Sequence, residues 1–158
     1  MMRLRVHHLL CSALYVGEGY SGAFCENMRK AVLWLWGENE QREAFRDGQK
    51  EADCAGQMRD RKEIRLTAAP DEICGACPNL GETGCLLDDN RVVSKDEALA
   101  RALGLKTEHL YSVPELLRIV EKNLTEDIFE TSCHNCEWYA KGLCRYEKLA
   151  EKYQNRRK

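Results

Sequence analysis

The chain has 158 residues and a mass of 18.2 kDa, which is enough for one domain and too little for two of ordinary size. Charged residues make up 32% and hydrophobic residues 44%, a balance that favours a soluble globular protein and excludes general disorder. The net charge of −2 gives no reason to expect a nucleic acid or an anionic membrane as a partner. No apolar run reaches the roughly 18–20 residues of a membrane helix. Nine cysteines are the unusual feature of the composition.

The N-terminal part of the chain is predicted to form two helices. Apolar residues recur at helical spacing within residues 4–16, and a glycine-rich turn follows. Ser21 is a predicted N-cap for the second helix, which runs from Gly22 to about Trp36 and stops at Gly37.

The middle of the chain is poor in regular structure. Residues 38–62 are polar and dense in charge, which indicates a solvated excursion from the domain. Ile64 and Leu66 alternate with polar neighbours and predict one short strand. Residues 70–84 are rich in glycine and proline, as is typical of turns, and residues 86–93 predict a small hairpin.

Helices predominate again in the last third. N-capping residues and apolar spacing predict helices from Ser94 to about Leu103, from Ser112 to about Asn123, after Thr125, and from Leu143 to about Tyr153. Residues 155–158 form a predicted basic, solvated tail. The sequence therefore predicts a mainly α fold of the small α+β class. It consists of one helix-rich domain over residues 1–158, with one short strand or hairpin and cysteine-rich knuckle loops.

Six of the cysteines fall into two copies of one spacing, in which CxxC is followed by seven residues and a third cysteine. The first triplet is Cys74, Cys77 and Cys85, and the second triplet is Cys133, Cys136 and Cys144. A gap of two residues lets both thiols reach one metal centre, around a tight turn or from one face of a helix. Metal binding by at least one triplet is therefore the main functional prediction.

The two triplets are predicted to differ in local structure. Glycines and prolines within residues 74–85 predict a knuckle-like loop whose backbone amides face the thiolates. The second triplet has helix-compatible residues as far as Gly142, so Cys133 and Cys136 are predicted to share a helix face. Gly142 would then turn the chain and bring Cys144 back.

Each triplet lacks one of the four ligands that a tetrahedral zinc ion or a four-iron cluster normally takes from a protein. On a helix, His7 and His8 would each share a face with Cys11, so these three residues are candidates for the missing positions. Cys11 is predicted to join the second triplet, and His7 or His8 to complete the first. The ligand count leaves open whether there are two four-ligand sites or one four-cysteine site with spare thiols.

The other histidines and cysteines have simpler interpretations. His134 would point away from a metal held by its neighbours, Cys25 is a predicted small buried hydrophobe, and Cys54 is a predicted free thiol. His109 has no candidate ligand beside it. Residues 17–22 match GxGxxG, but no predicted strand precedes them, so they are interpreted as a connection between helices and not as a nucleotide site.

The N-terminus does not predict export. Residues 1–5 are basic, but the apolar stretch after them is interrupted by His7 and His8, and no small-residue cleavage site follows directly. We therefore expect a cytoplasmic protein. In that compartment paired cysteines more often bind metal or undergo redox chemistry than form structural disulfides.

Taken together, the triplets and the N-terminal segment resemble the domain-of-unknown-function 1284 family of short bacterial and archaeal proteins. The resemblance rests on Arg3-Leu4-Arg5, His7-His8-Leu9-Leu10-Cys11, Gly17, Gly19-Tyr20-Ser21, Asn27-Met28, Pro70-Asp71-Glu72-Ile73-Cys74, Cys133 with Cys136-Glu137-Trp138, and Leu143-Cys144. It covers most of the chain outside residues 38–62, and Val6 stands where the family has a small residue or proline. The family's cysteine content implies an iron–sulfur cluster, and the resemblance implies no particular reaction.

Three functions fit these patterns. The resemblance favours an iron–sulfur protein with a [4Fe-4S] cluster, whose expected partner is a redox protein. A structural zinc module is the first alternative, because thiolate ligands suit both kinds of centre. A thiol–disulfide redox protein is the second alternative. Apart from the thiols the sequence shows no convincing acid–base or nucleophilic set, so it assigns no enzymatic activity.

Overall fold

A computed structural model describes residues 1–37, 62–87 and 91–156 of the chain. Helices dominate these residues and the strands are short, which confirms the predicted mainly α, small α+β class. The helices are α1 (Val6–Leu14), α2 (Gly22–Trp36), α3 (Val92–Leu103), α4 (Val113–Asn123), α5 (Glu126–Cys133), α6 (Glu137–Ala140) and α7 (Tyr146–Asn155). The strands are β1 (Met2–Arg5), β2 (Glu63–Thr67), β3 (Leu80–Gly81), β4 (Gly84–Cys85) and β5 (Leu110–Ser112). In these three described ranges, every helix is too short or too polar to span a bilayer.

Three of the strands form a small sheet with β2 at its centre. β2 pairs in parallel with β1, where Leu66 lies opposite Leu4, and antiparallel with β5, where Ile64 lies opposite Tyr111. The predicted strand at Ile64 and Leu66 is therefore confirmed. β1 and β5 are absent from the sequence-based prediction, which expected one short strand or hairpin.

β1 replaces the first residues of the helix predicted over residues 4–16. The strand passes directly into α1, because Arg5 takes the N-cap position in an extended conformation and its side chain makes no capping hydrogen bond. No N-terminal signal in the sequence therefore separates the strand from the helix. Apolar spacing alone placed the helix start too early.

The apolar core surrounds α1. This helix packs against α2, α3 and α7, and Leu9 and Leu10 are almost completely buried. The buried hydroxyl of Tyr153 in α7 donates a hydrogen bond to the carbonyl of Leu9 at 3.1 Å. Helices from both halves of the chain therefore fix the position of α1, which includes His7, His8 and Cys11.

Local capping signals account for most helix ends. The predicted N-caps Ser21, Ser112 and Thr125 are confirmed: each side-chain oxygen accepts a hydrogen bond from the backbone N–H three residues later, at 3.1, 3.4 and 3.3 Å. Gly37 with φ 82° and Gly104 with φ 70° end α2 and α3 as predicted.

Two predictions near residue 90 are wrong. Val92 lies in α3 and not in a hairpin, and Ser94 is not an N-cap because α3 has already begun at Val92. Asp96, in the first turns of α3, is fully buried and bound to distant residues. The hairpin lies instead between β3 and β4.

The C-terminal part also differs from the prediction. α7 begins at Tyr146 and not at Leu143, since Arg145 before it is extended. Arg156, assigned to a solvated tail, has its Nη2 2.6 Å from Oε2 of Glu121, and both side chains are more than four-fifths buried. Residues 38–61 of the predicted excursion, residues 88–90, and residues 157–158 lie outside the described part of the chain.

Candidate metal centre

Both cysteine triplets contribute to one cavity of ≈ 280 Å³. Six thiols line it, those of Cys11, Cys74, Cys77, Cys85, Cys133 and Cys136. Arg5, His7 and His8 add polar lining from the junction of β1 and α1. Tyr20 and Trp138 form an aromatic wall, because their rings stack with centroids 5.5 Å apart. The structure therefore brings the first triplet, two cysteines of the second and the three N-terminal candidates to one place.

Four of the thiols form a single group, which we call the four-thiol group. It consists of Cys11 in α1, Cys133 at the end of α5, Cys136 just before α6, and Cys144 between α6 and α7. All six pairs of these thiols interact electrostatically. The structure places Cys11 beside the second triplet, where the sequence predicts it, and its ligation of a metal stays a prediction.

The environment of this group opposes charge on the free thiols. Burial, followed by repulsion from neighbouring thiolates, raises the pKa of Cys133 to about 12 and that of Cys144 to about 11. The same causes raise the pKa of Cys11 well above its ordinary value. All eight cysteines in the described ranges are free, so no disulfide there removes the repulsion. A bound cation or cluster would remove it.

One set of donor atoms of the metal-binding types stands close together. Among the described residues, donor atoms of His8, Asp71 and Cys74 lie within 4.8 Å of one another. Thiolate ligands suit both a zinc ion and an iron–sulfur cluster, so the chemistry of the four-thiol group is compatible with either centre.

The two CxxC segments share one backbone turn, which corrects the prediction that Cys133 and Cys136 share a helix face. In each, the N–H of the second cysteine donates to the carbonyl of the first at 2.9 Å, from Cys77 to Cys74 and from Cys136 to Cys133. The second cysteine is extended in both, with φ −83°. Cys133 ends one helix and Cys136 precedes the next, so the two lie on a turn and not on a helix face.

Gly142 returns the chain to the four-thiol group as predicted. The N–H of Leu143 donates to the carbonyl of Trp138 at 3.1 Å, and that of Gly142 to Tyr139 at 2.9 Å. This pair of bonds is a Schellman motif, which requires a left-handed residue, and Gly142 has φ 73°. The motif ends α6 and brings Cys144 beside the CxxC turn.

The first triplet is closed by the hairpin of β3 and β4. The N–H of Leu80 donates to the carbonyl of Cys77 at 3.1 Å, and Leu80 pairs with Cys85 across the hairpin. Nδ2 of Asn79 donates to Sγ of Cys77 at 3.8 Å. The hairpin therefore returns Cys85 towards the CxxC turn, and an amide donor already points at one of the thiols.

Two buried carboxylates hold the histidines. Nδ1 of His7 lies 2.8 Å from Oδ1 of Asp96, and Nδ1 of His8 lies 2.6 Å from Oδ2 of Asp71. Burial opposes ionisation of Asp71, but the neighbouring His8 and the backbone N–H groups of Arg5 and Cys74 outweigh it and lower the pKa of Asp71. An ionised carboxylate only accepts hydrogen bonds, so Nδ1 of His8 is the protonated nitrogen. Histidines that bind metal commonly have a carboxylate in this position.

Burial also determines the state of His7. Burial lowers the pKa of His7 below its ordinary value, so the ring is neutral near pH 7 and donates its Nδ1–H to Asp96. Burial acts to raise the pKa of Asp96, but the neighbouring His7 and Arg5 outweigh it and lower that pKa. The Arg5 guanidinium, 2.7 Å from the carboxylate, balances its charge. In each histidine the carboxylate contacts Nδ1, so Nε2 is not bonded to Asp71 or Asp96.

No motif in the sequence marks Asp71 or Asp96 as a site residue. Asp71 had a local signal: its Oδ1 accepts hydrogen bonds from the N–H groups of Ile73 at 2.9 Å and Cys74 at 3.0 Å, as an aspartate preceding a turn commonly does. Asp96 had none, because its partners Arg5 and His7 lie about 90 residues earlier in the chain.

Comparison with known protein families places the chain in one of them. A family model described as "Protein of unknown function (DUF1284)" matches residues 42–142, which is more than half of the chain. The chain belongs to the DUF1284 family. No curated protein and no solved structure matches it.

The DUF1284 match covers the site unevenly. It includes Cys74, Cys77, Cys85, Cys133 and Cys136, and it excludes the N-terminal ligand candidates and Cys144. It also includes part of residues 38–62, which the sequence resemblance set apart. The family assignment is confirmed, and the family description names no ligand and no reaction.

The remaining candidates lie as follows. Cys25 is half-buried in α2, and its thiol donates to the carbonyl of Gly17 at 3.7 Å. Nδ1 of His134 lies 2.7 Å from the carbonyl of Glu130, so its ring turns back on α5. His109 packs against Tyr111, at 4.6 Å between ring centroids. Residues 17–22 connect α1 to α2, as interpreted from the sequence. Cys54 lies outside the described residues.

Proposed function

We propose that this DUF1284 protein is a cysteine-ligated metalloprotein with an iron–sulfur cluster, of the [4Fe-4S] type, bound by Cys11, Cys133, Cys136 and Cys144. The supporting observation is the four-thiol group itself: four reduced thiols from separate elements lie together, and every pair repels as thiolates. Thiolate ligands suit both kinds of centre, and the sequence resemblance favours the cluster over a single zinc ion, which is the alternative.

The residues around the group support the same proposal. Lys95 of α3 opposes the rise in the pKa of Cys133 and would partly offset the negative charge of a thiolate centre. The stacked rings of Tyr20 and Trp138 give one side of the cavity an apolar surface. When bound, a cluster supplies one-electron chemistry. A redox protein is then the proposed partner, and the reducing cytoplasm the proposed location, because the thiols must stay reduced until they bind.

The test is purification without oxygen, followed by analysis of iron, acid-labile sulfide and zinc. We expect brown protein with an absorbance shoulder near roughly 400 nm. Cys136→Ser should lose the iron and sulfide of this cluster, and Cys25→Ser, the matched control outside the group, should keep them. Colourless protein with stoichiometric zinc, unchanged by reconstitution with iron and sulfide, would favour the zinc alternative. Full iron content in Cys136→Ser would refute the ligand assignment.

A further inference from the structure

We infer that Cys74, Cys77, Cys85 and His8 form a second metal centre, separate from the four-thiol group and not dependent on it. Its donor set is three thiolates and one imidazole, which suits a zinc ion or an iron–sulfur cluster. Beside Cys74 stand His8 and Asp71, and donor atoms of these three residues lie within 4.8 Å of one another. The first triplet therefore has polar partners that the four-thiol group lacks.

The cysteines are placed for this role by two backbone elements. The turn from Cys74 to Cys77 matches the turn from Cys133 to Cys136 in its hydrogen bond and in the extended second cysteine. The hairpin then returns Cys85, and all three thiols line the cavity. Because the turn from Cys74 to Cys77 has the same backbone shape as the turn from Cys133 to Cys136, it needs no rearrangement to present its two thiols together.

Hydrogen-bond donors next to these sulfurs are the second, independent observation. Asn79 donates to the Cys77 thiol at 3.8 Å. The Arg5 guanidinium and the Cys74 thiol are neighbours that influence each other's pKa, and Arg5 lines the cavity while only 1% exposed. Its Nη2 is buried without a hydrogen-bond partner in the described chain. A neutral thiol is a poor acceptor, whereas a metal-bound thiolate at Cys74 would satisfy this buried donor and offset its charge.

His8 is the better fourth ligand of the two histidines. A donor nitrogen of His8 lies within 4.8 Å of Sγ of Cys74. The His8 side chain is 7% exposed and that of His7 is 31% exposed, so His8 lies deeper in the site. Its bond to Asp71 fixes the ring and leaves Nε2 for a metal.

Asp71 shares this neighbourhood but is not a ligand. Its Oδ1 accepts from the N–H groups of Ile73 and Cys74, and its Oδ2 accepts from the N–H of Arg5 at 2.7 Å and from His8. Ligation would break several of these bonds at a buried position, which is costly. Asp71 is therefore a positioning residue that orients His8 and the first cysteine of the triplet.

Differential alkylation of the anaerobically purified protein tests the centre without any substitution. Cys25, Cys77 and Cys85 are all half-buried, which makes Cys25 a matched control. We expect iodoacetamide to label Cys77 and Cys85 at least tenfold more slowly than Cys25, with the difference lost after chelation. If Cys77 and Cys85 react as fast as Cys25 while Cys133 and Cys136 stay protected, the second centre is refuted and the proposed function stands.

Metal analysis and cobalt binding define the ligands. Cys77→Ser should lose zinc, or iron with sulfide, while keeping the metal that Cys136→Ser loses. Equal metal content in Cys77→Ser and the unsubstituted protein would overturn the inference. In anaerobic cobalt titration of the apoprotein, His8→Gln should weaken binding by at least tenfold and His7→Gln by much less. Equal losses, or the reverse order, would refute the choice of His8.

Discussion

The two cysteine triplets begin with the same turn and end in different surroundings. The second triplet meets a fourth thiol from α1, and its neighbours are mainly other thiols, so each free thiolate raises the free energy of the rest. The first triplet meets a histidine, an arginine and an aspartate, which form hydrogen bonds and ion pairs around it. The CxxC spacing therefore determines the backbone turn, and the residues that meet each triplet determine the chemistry of its site.

Metal removal should give the largest effect and separate the two regions. Binding energy at a thiolate site that joins separate segments is folding energy, of order 10 kcal/mol for structural metals. We expect chelation to lower the melting temperature sharply and to increase amide exchange first in α5 and α6, which have few buried apolar residues of their own. An unchanged melting curve after verified metal loss would rule out a structural role for either centre.

Removing a buried carboxylate should affect stability next most strongly, and the two aspartates should differ. Asp96→Asn leaves the Arg5 guanidinium buried without its counter-charge, which costs about 3–5 kcal/mol in comparable pairs. Asp71→Asn keeps an oxygen for the backbone amides, so we expect a loss of about 1–3 kcal/mol. Urea denaturation with metal content monitored checks this order. A larger loss in Asp71→Asn would contradict it.

The pH dependence of metal binding follows from the thiols. Burial, followed by repulsion from Asp71, raises the pKa of Cys74 to about 12, and burial with thiolate repulsion raises the pKa of Cys133 to about 12. These thiols are protonated in the apoprotein at pH 7, and metal binding must release their protons. Apparent affinity should therefore rise with pH, about tenfold per pH unit for each proton released. Competition titrations between pH 6.5 and 8.5 would show this, and a flat profile would contradict it.

Helix caps should give the smallest effects. Ser21→Ala and Thr125→Ala should each cost about 1 kcal/mol of stability. Ser21 also donates to the carbonyl of Ala76 at 3.2 Å, within the first CxxC turn, so its loss should weaken the second centre in addition. Ser112 caps α4 away from both triplets, so Ser112→Ala is the control. Metal affinity that falls equally in all three variants would show that the effect is not local.

The sequence predicted those features whose causes are local. Ser21, Thr125, Gly104 and Gly142 act on their own turns, and each was found from residue type and spacing. The thiols were found because CxxC spacing is itself a local signal. Cys11 was linked to the second triplet only by counting ligands, and the structure brings it there.

The rest depended on contacts between distant parts of the chain. Ser94 and Glu97 form a good capping pattern, yet the helix starts earlier because Asp96 pairs with Arg5 and His7 across the core. β1 went unrecognised because its pairing partner β2 lies about 60 residues later. The glycine content of the two CxxC segments does not predict that they form the same turn, because the second cysteine is extended in both.

The position of α1 has a consequence for biogenesis. During synthesis Cys11 emerges early, while Cys144 follows only after most of the described chain has been made. A centre that needs both cannot assemble on the growing chain until that last thiol has left the ribosome. Until then Cys11 lacks its thiol partners, so the nascent protein would be most vulnerable to oxidants and to incorrect metals before α7 docks on α1.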